Sequence, residues 1–162
     1  AKWEKDEQFC ETDVKTREDF KGRRVLDFTD VGVFDFLIGN LDRHHVELFE
    51  HFGNDTSLIH LDNGRGFGKS KYDCMSCMSP VRQCCMIRLS TLAKLVKLYI
   101  GPDSLSHVLR KSLEADPLSP ILWEPHLDSV DRRVGQILKV ISECITKKGK
   151  PWQEVIIDDG FY

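Results

Sequence analysis

The sequence predicts a mainly α-helical fold with a few short strands. Two observations carry that expectation. Apolar residues recur at three-and-four spacing over several stretches, most clearly Leu127, Val130, Val134, Ile137, Leu138, Ile141 and Ile145. Strand candidates are confined to two short pieces, residues 57–61 and 155–157. A length of 162 residues fits one domain with a sizeable core.

Taken in order, residues 1–24 read as polar and irregular, anchored only by Trp3, Phe9, Cys10 and Phe20. Asp27, Thr29 or Asp30 is placed to cap a helix running to about Gly39, with Val33, Phe34, Leu37 and Ile38 at helical spacing. Gly39 suits the helix end. Residues 40–47 form a polar, acidic loop, and residues 51–56 read as a turn. The strand candidate at 57–61 is stopped by Asp62-Asn63-Gly64. Residues 69–83 read as a linker containing Pro80. A helix over 90–100 puts Leu92, Leu95, Val96 and Tyr99 on one side and ends at Gly101-Pro102. Another starts near Asp103 or Ser104 and carries Leu105, Val108, Leu109 and Leu113. Asp116-Pro117 and Ser119-Pro120 break the chain before the last helix. Lys147 and Lys148 complement that helix's C-terminal dipole, and Gly149 stops it.

Composition narrows the function classes. Hydrophobic content of 41% and charged content of 30% are ordinary for a soluble globular domain. A net charge of −3 gives no reason to expect nucleic acid or an anionic membrane as partner. No apolar stretch is long enough to span a bilayer. The charged opening, AKWEKDEQ, is not a signal peptide, so a secreted protein would carry its targeting segment outside these residues. There are six cysteines, Cys10, Cys74, Cys77, Cys84, Cys85 and Cys144, an even number that suits a disulfide framework with fifteen connectivities open. Asn54-Asp55-Thr56 is an N-glycosylation sequon. Together they favour the secretory pathway.

The chemistry concentrates in residues 31–68. Asp42 and Glu47 keep the five-residue interval by which a protein-kinase catalytic loop separates its base from a metal-holding Asn, with a carboxylate in place of the Asn. Twenty residues beyond Asp42, after a short apolar run, Asp62-Asn63-Gly64 takes the place of the kinase D-F-G, whose Asp holds the metal that bridges the phosphates. The order, D-x4-E then apolar run then D-x-G, points to phosphoryl transfer. The glycines from Gly64 to Gly68, followed by Lys69-Ser70, miss a phosphate-loop pattern because position 63 is Asn. His44, His45, His51 and His60 lack the H-E-x-x-H spacing. Cys74-x-x-Cys77 is half a zinc ribbon without its second half, and no thioredoxin-like βαβ pattern surrounds it.

The segments FDFLIGNLDRHHVELFEHFGNDT, IHLDNGRGFGK, QCCMIR and EPHLDSVDRR resemble the Golgi casein kinase family, the secretory-pathway kinases called family with sequence similarity twenty. The resemblance runs from Trp3 to about Gly149. It implies an atypical protein-kinase-like C-lobe spanning residues 1–162, with residues 1–24 tied on by a disulfide. It implies Asp42 as catalytic base, Asp62 as metal ligand, Glu47 as a nucleotide contact, and ATP with Mn²⁺ or Mg²⁺ as cofactors. It also implies Cys10–Cys84 and Cys85–Cys144 pairs, a glycan on Asn54, and a place in the Golgi lumen or outside the cell. Closing loops this long would stabilise by roughly 4 kcal/mol each in the chain-entropy model. Cys74 and Cys77 stand where the family usually has other residues, which leaves their state open. The glycine-rich loop, the phosphate-binding Lys and its Glu partner are missing, and only 41 residues precede Asp42. These residues are therefore expected to be the C-lobe of a longer enzyme and inactive alone. The implied reaction is transfer of the ATP γ-phosphoryl to serine in Ser-x-Glu contexts of secreted acidic proteins. A xylose kinase of the proteoglycan linker and a pseudokinase that activates a relative are the alternatives. A pseudokinase relative or a second copy is the implied protein partner.

Overall fold

The computed structural model describes residues 2–20, 22–43, 46, 47, 49, 51 and 56–160. The helix α6 (Glu124–Thr146) organises it, for a reason visible in its residues. Leu127, Val130, Val134, Ile137, Ile141 and Cys144 fall on one stripe and are all buried. Pro125 sits in the first turn, where a missing backbone N–H is harmless. Against this stripe pack α2 (Arg24–Ile38), α3 (Ser79–Cys84), α4 (Leu89–Ile100) and α5 (Leu105–Leu113). Val33 and Phe36 of α2, Val81 of α3 and Leu95 of α4 join the α6 stripe in one apolar cluster. Burying each such side chain contributes roughly 1.5–3 kcal/mol. No described helix is long and apolar enough to cross a membrane.

Four sequence expectations change. The first is the start of α2, at Arg24 with no side-chain cap. The carboxylates of Asp27 and Asp30 are spent elsewhere: both accept from Arg88 across the core, Asp30 Oδ2 at 2.7 Å from Arg88 Nε. The Thr29 hydroxyl donates to the Leu26 carbonyl. Second, the end of the expected linker is α3, with Pro80 in its first turn. Third, among the described residues, 57–61 make a single antiparallel bridge, Glu47 to Ile59. The carbonyls of His60 and Leu61 accept from side chains instead of a neighbouring strand. Fourth, residues 1–24 contain short helical turns, α1 (Lys2–Lys5), a π-turn over Cys10–Val14 and a 3₁₀ turn over Glu18–Phe20. The carboxy-terminal strand β2 (Ile156–Ile157), reached through α7 (Trp152–Val155), has a parallel partner that periodicity does not mark, β1 (Ile87–Arg88). Tyr99, on the same side of α4 as Leu95, is 59% exposed.

The Cys84-Cys85 step ties two parts of the molecule together. Cys84 ends α3 and bonds Cys10; Cys85, in the left-handed conformation with φ 50°, turns the other way and bonds Cys144 of α6. The first bond sits in a separate apolar cluster with Val14, Val25, Phe9, Phe20 and Phe28, and this cluster holds the amino-terminal turns against α2. Cys74 and Cys77 are also joined to each other.

Candidate functional site

The site is built on the end of α2. Gly39 adopts φ 65° and donates its N–H to the carbonyls of Asp35 and Phe36, closing the helix. A β-carbon there would lie 3.0 Å from the guanidinium of Arg133, so the position needs glycine for space as well as for backbone. Arg133 itself is buried on α6 and donates to the Leu37, Lys69 and Tyr72 carbonyls and to Asp73. It clamps the end of α2 to the 69–73 segment. Asp73 also accepts from Arg132 and Gln136, and the Arg132 guanidinium is the first cause holding its carboxyl well below the usual carboxylate range.

After Gly39 the chain turns over Asn40, which is 1% exposed. The Asn40 side-chain amide donates to Asp35 Oδ1 at 3.1 Å, and its Oδ1 accepts the Asp42 backbone N–H at 3.1 Å. Arg43 then folds back. Its Nε and Nη2 grip the two oxygens of buried Asp35 at 2.8 and 2.9 Å, a bidentate charged pair. The far side of the same guanidinium donates to Asn63 Oδ1 at 2.7 Å and to the Leu61 carbonyl. Asn63 in turn donates from its side chain to the His60 carbonyl. One arginine therefore locks the Asp42 loop, the end of α2 and the Asp62 turn into one unit.

Asp62 adopts φ 54° on an exposed turn, Phe67 adopts φ 57°, and Gly66 leaves room for the Ile38 side chain, so the chain doubles back and Phe67 N–H donates to the Ile38 carbonyl at 2.6 Å. That return brings Arg65 to Asp42, with Nε to Oδ2 at 3.0 Å and the Asp42 side chain 21% exposed. Glu47 lies on the other rim, where its carbonyl accepts the Ile59 N–H. His60 packs its ring against Phe34 at 5.2 Å, and burial holds its pKa below the ordinary histidine value. His44, His45 and Asn54 lie outside the described residues.

The structure thus brings the Asp42 and Asp62 loops together. It also supplies residues that motif reading passed over: Asp35, Asn40, Arg43 and Arg65. Asp35 had one signal, a carboxylate inside the apolar run FDFLI, which a buried helix tolerates only with a partner. Asp62 and Glu47 present hard oxygen donors suited to Mg²⁺ or Mn²⁺. Among the described residues no three His, Cys, Asp or Glu converge on one point.

A sequence profile described as Fam20C, Golgi casein kinase, C-terminal, matches residues 1–153. The chain belongs to the Golgi casein kinase family, Fam20. Within Fam20, the Drosophila melanogaster extracellular serine/threonine protein CG31145 is 50% identical over 149 residues, 91% of this chain and 28% of the relative. The human extracellular serine/threonine protein kinase FAM20C is 45% identical over 159 residues, 98% of this chain and 27% of the relative. The family is not uniform in activity. Human pseudokinase FAM20A is 47% identical over 156 residues, 96% of this chain and 28% of the relative, and human glycosaminoglycan xylosylkinase is 40% identical over 159 residues, 98% of this chain and 38% of the relative. A Golgi casein kinase crystal structure with Mn and ADP bound superposes with a TM-score of 0.84 at 42% identity, covering 92% of this chain and 36% of that one. The fold is accordingly mainly helical and kinase-C-lobe-like, as in the solved Fam20 structures. This chain spans little more than a quarter of the length of the first of these relatives.

Proposed function

We propose that these residues are the C-lobe of a secretory-pathway enzyme that transfers the γ-phosphoryl of ATP to serine in Ser-x-Glu contexts of secreted acidic proteins. The observation that carries this reading is the Arg43 lock, which fixes two carboxylate loops in the order and interval that phosphoryl transfer uses. Two relatives are named extracellular serine/threonine proteins, one of them a kinase, and a structural neighbour holds Mn and ADP. Disulfides also suit an oxidising compartment.

In this reading Asp42 accepts the proton of the serine hydroxyl as the oxygen attacks phosphorus, while the bond from γ-phosphorus to the leaving ADP oxygen breaks. The Arg65 guanidinium, 3.0 Å from one Asp42 oxygen, helps to hold the carboxylate in place. Asp62 and Glu47 would hold Mn²⁺ or Mg²⁺, which would neutralise phosphate charge. The phosphate-gripping Lys and its Glu partner belong to an N-lobe, so residues 1–162 alone are expected to be inactive.

The test is phosphoryl transfer from ATP and Mn²⁺ by the full-length secreted protein, with casein and a xylose-containing linker glycan offered together. Label on casein that disappears in Asp42→Ala supports the serine kinase. Label on the glycan alone makes the enzyme a xylose kinase. Absence of label on both, with intact folding, refutes the catalytic assignment in favour of a pseudokinase that acts on a relative.

A further inference from the structure

The Cys74–Cys77 bond borders the site described above, and it differs from the other two disulfides in three respects. Its cysteines are three residues apart, against 74 and 59 for the others. An unfolded chain brings its ends together across three residues on the order of a hundredfold more often than across 74, so native folding adds far less to this bond than to the long-range ones. Cys10, Cys84, Cys85 and Cys144 are each at most 2% exposed, whereas Cys77 is only half-buried. Both Cys74 and Cys77 line a cavity of about 530 Å³ whose wall includes Trp3, Phe9, Phe28 and Leu41 and also Asn40 and Arg43.

The two sulfurs are also chemically unequal. Ser76 Oγ lies 3.3 Å from Cys74 Sγ and can donate a hydrogen bond to it, which favours negative charge on that sulfur. The carbonyl oxygen of Asn40 lies 3.2 Å from Cys77 Sγ, which disfavours negative charge there. Cys77 is therefore the sulfur to be attacked and Cys74 the better leaving group. Asn40 is the residue whose side chain holds the Asp42 backbone N–H.

We infer that Cys74–Cys77 is a thiol–disulfide exchange site, open to an external dithiol through the cavity and felt by the Asp42 loop through Asn40. The attacking thiolate bonds to Cys77 Sγ, the Sγ–Sγ bond breaks, and its electron pair leaves on Cys74 Sγ, which takes up a proton. The second thiol of the reductant displaces Cys77 and becomes the cyclic disulfide. The pair thus gains two electrons and two protons. The new Cys77 thiol then donates to the Asn40 carbonyl oxygen that its disulfide form could only abut. The turn carrying it is also packed tightly on α2, since a β-carbon at Gly32 would meet the Cys77 carbonyl oxygen at 3.2 Å.

The experiment is a dithiothreitol titration of the full-length native protein, with alkylation at each step and mapping of labelled cysteines by mass spectrometry. Hydrogen exchange over residues 40–43 is followed in parallel. Cys74 and Cys77 are expected to become labelled at least tenfold earlier in reductant than the other four, with a several-fold change in exchange at Asp42. In Cys74→Ser/Cys77→Ser the early step vanishes and the loop no longer responds to reductant. Simultaneous labelling of all six cysteines, or earlier release of Cys10–Cys84, overturns the site. Selective labelling with unchanged exchange at 40–43 overturns its connection to the Asp42 loop. Neither readout depends on phosphoryl transfer, so failure of the kinase reading leaves this test intact.

Discussion

Replacing Arg43 with methionine removes the lock while keeping much of the side chain's apolar volume. Asp35, at 2% exposure, loses both of its charged hydrogen bonds and, among the described residues, keeps the Asn40 amide. Stripping one partner from a buried ion pair costs about 3–5 kcal/mol, chiefly because the remaining charge cannot reach water. The Leu61 and Asn63 acceptors on the other side are exposed and regain water, so they add little. The expected loss is about 3–4 kcal/mol. In urea, with a slope of roughly 2 kcal/mol/M for a protein of this size, the midpoint should fall by about 1.5–2 M. Adding Asp35→Asn to Arg43→Met removes the stranded charge and should recover about 2 kcal/mol, giving a large coupling in a double-mutant cycle. The assay is urea unfolding followed by helical circular dichroism on wild type, both single variants and the double. A single-variant loss below about 1 kcal/mol, or strict additivity of the two substitutions, would refute the lock.

Two further outcomes follow from the neighbouring Arg133 cluster. Arg133→Met removes the donor to the Leu37, Lys69 and Tyr72 carbonyls from a buried position and should cost about 3 kcal/mol by thermal or urea unfolding, whereas Arg133→Lys should recover part of that by keeping the charge without the fork. Asp73 has a folded-state pKa below its unfolded value, so its stabilisation is fully present above the ordinary aspartate pKa of about 3.9 and is lost as pH falls below it. The stability gap between wild type and Asp73→Asn should therefore be flat from about pH 5 to 8 and shrink under more acid conditions; a gap that instead grows on acidification would contradict the ion-pair origin.

Sequence by itself determined much of this protein, because several of its signals are local. The stripe on α6, the left-handed turn at Gly39 and the break at Gly101-Pro102 are set within a few residues, and helical packing enforces them. The order Asp42, Glu47, Asp62 was legible for the same reason, since a motif is a spacing. What the chain could not announce was partnership at a distance. Asp27 and Asp30 look like caps because short acidic side chains favour helix starts, but Arg88, 61 and 58 residues away, takes both of them. The 57–61 run has strand character, yet a strand needs a neighbour, and here Arg43 and Asn63 claim its last carbonyls. β1 is two residues long and exists only because β2 lies alongside. Above all, the Arg43 lock needs three segments at once: the end of α2, the Asp42 loop and the Asp62 turn. Only tertiary packing decided that one guanidinium would satisfy all three, because a buried carboxylate such as Asp35 accepts whichever cation the fold brings within hydrogen-bond reach.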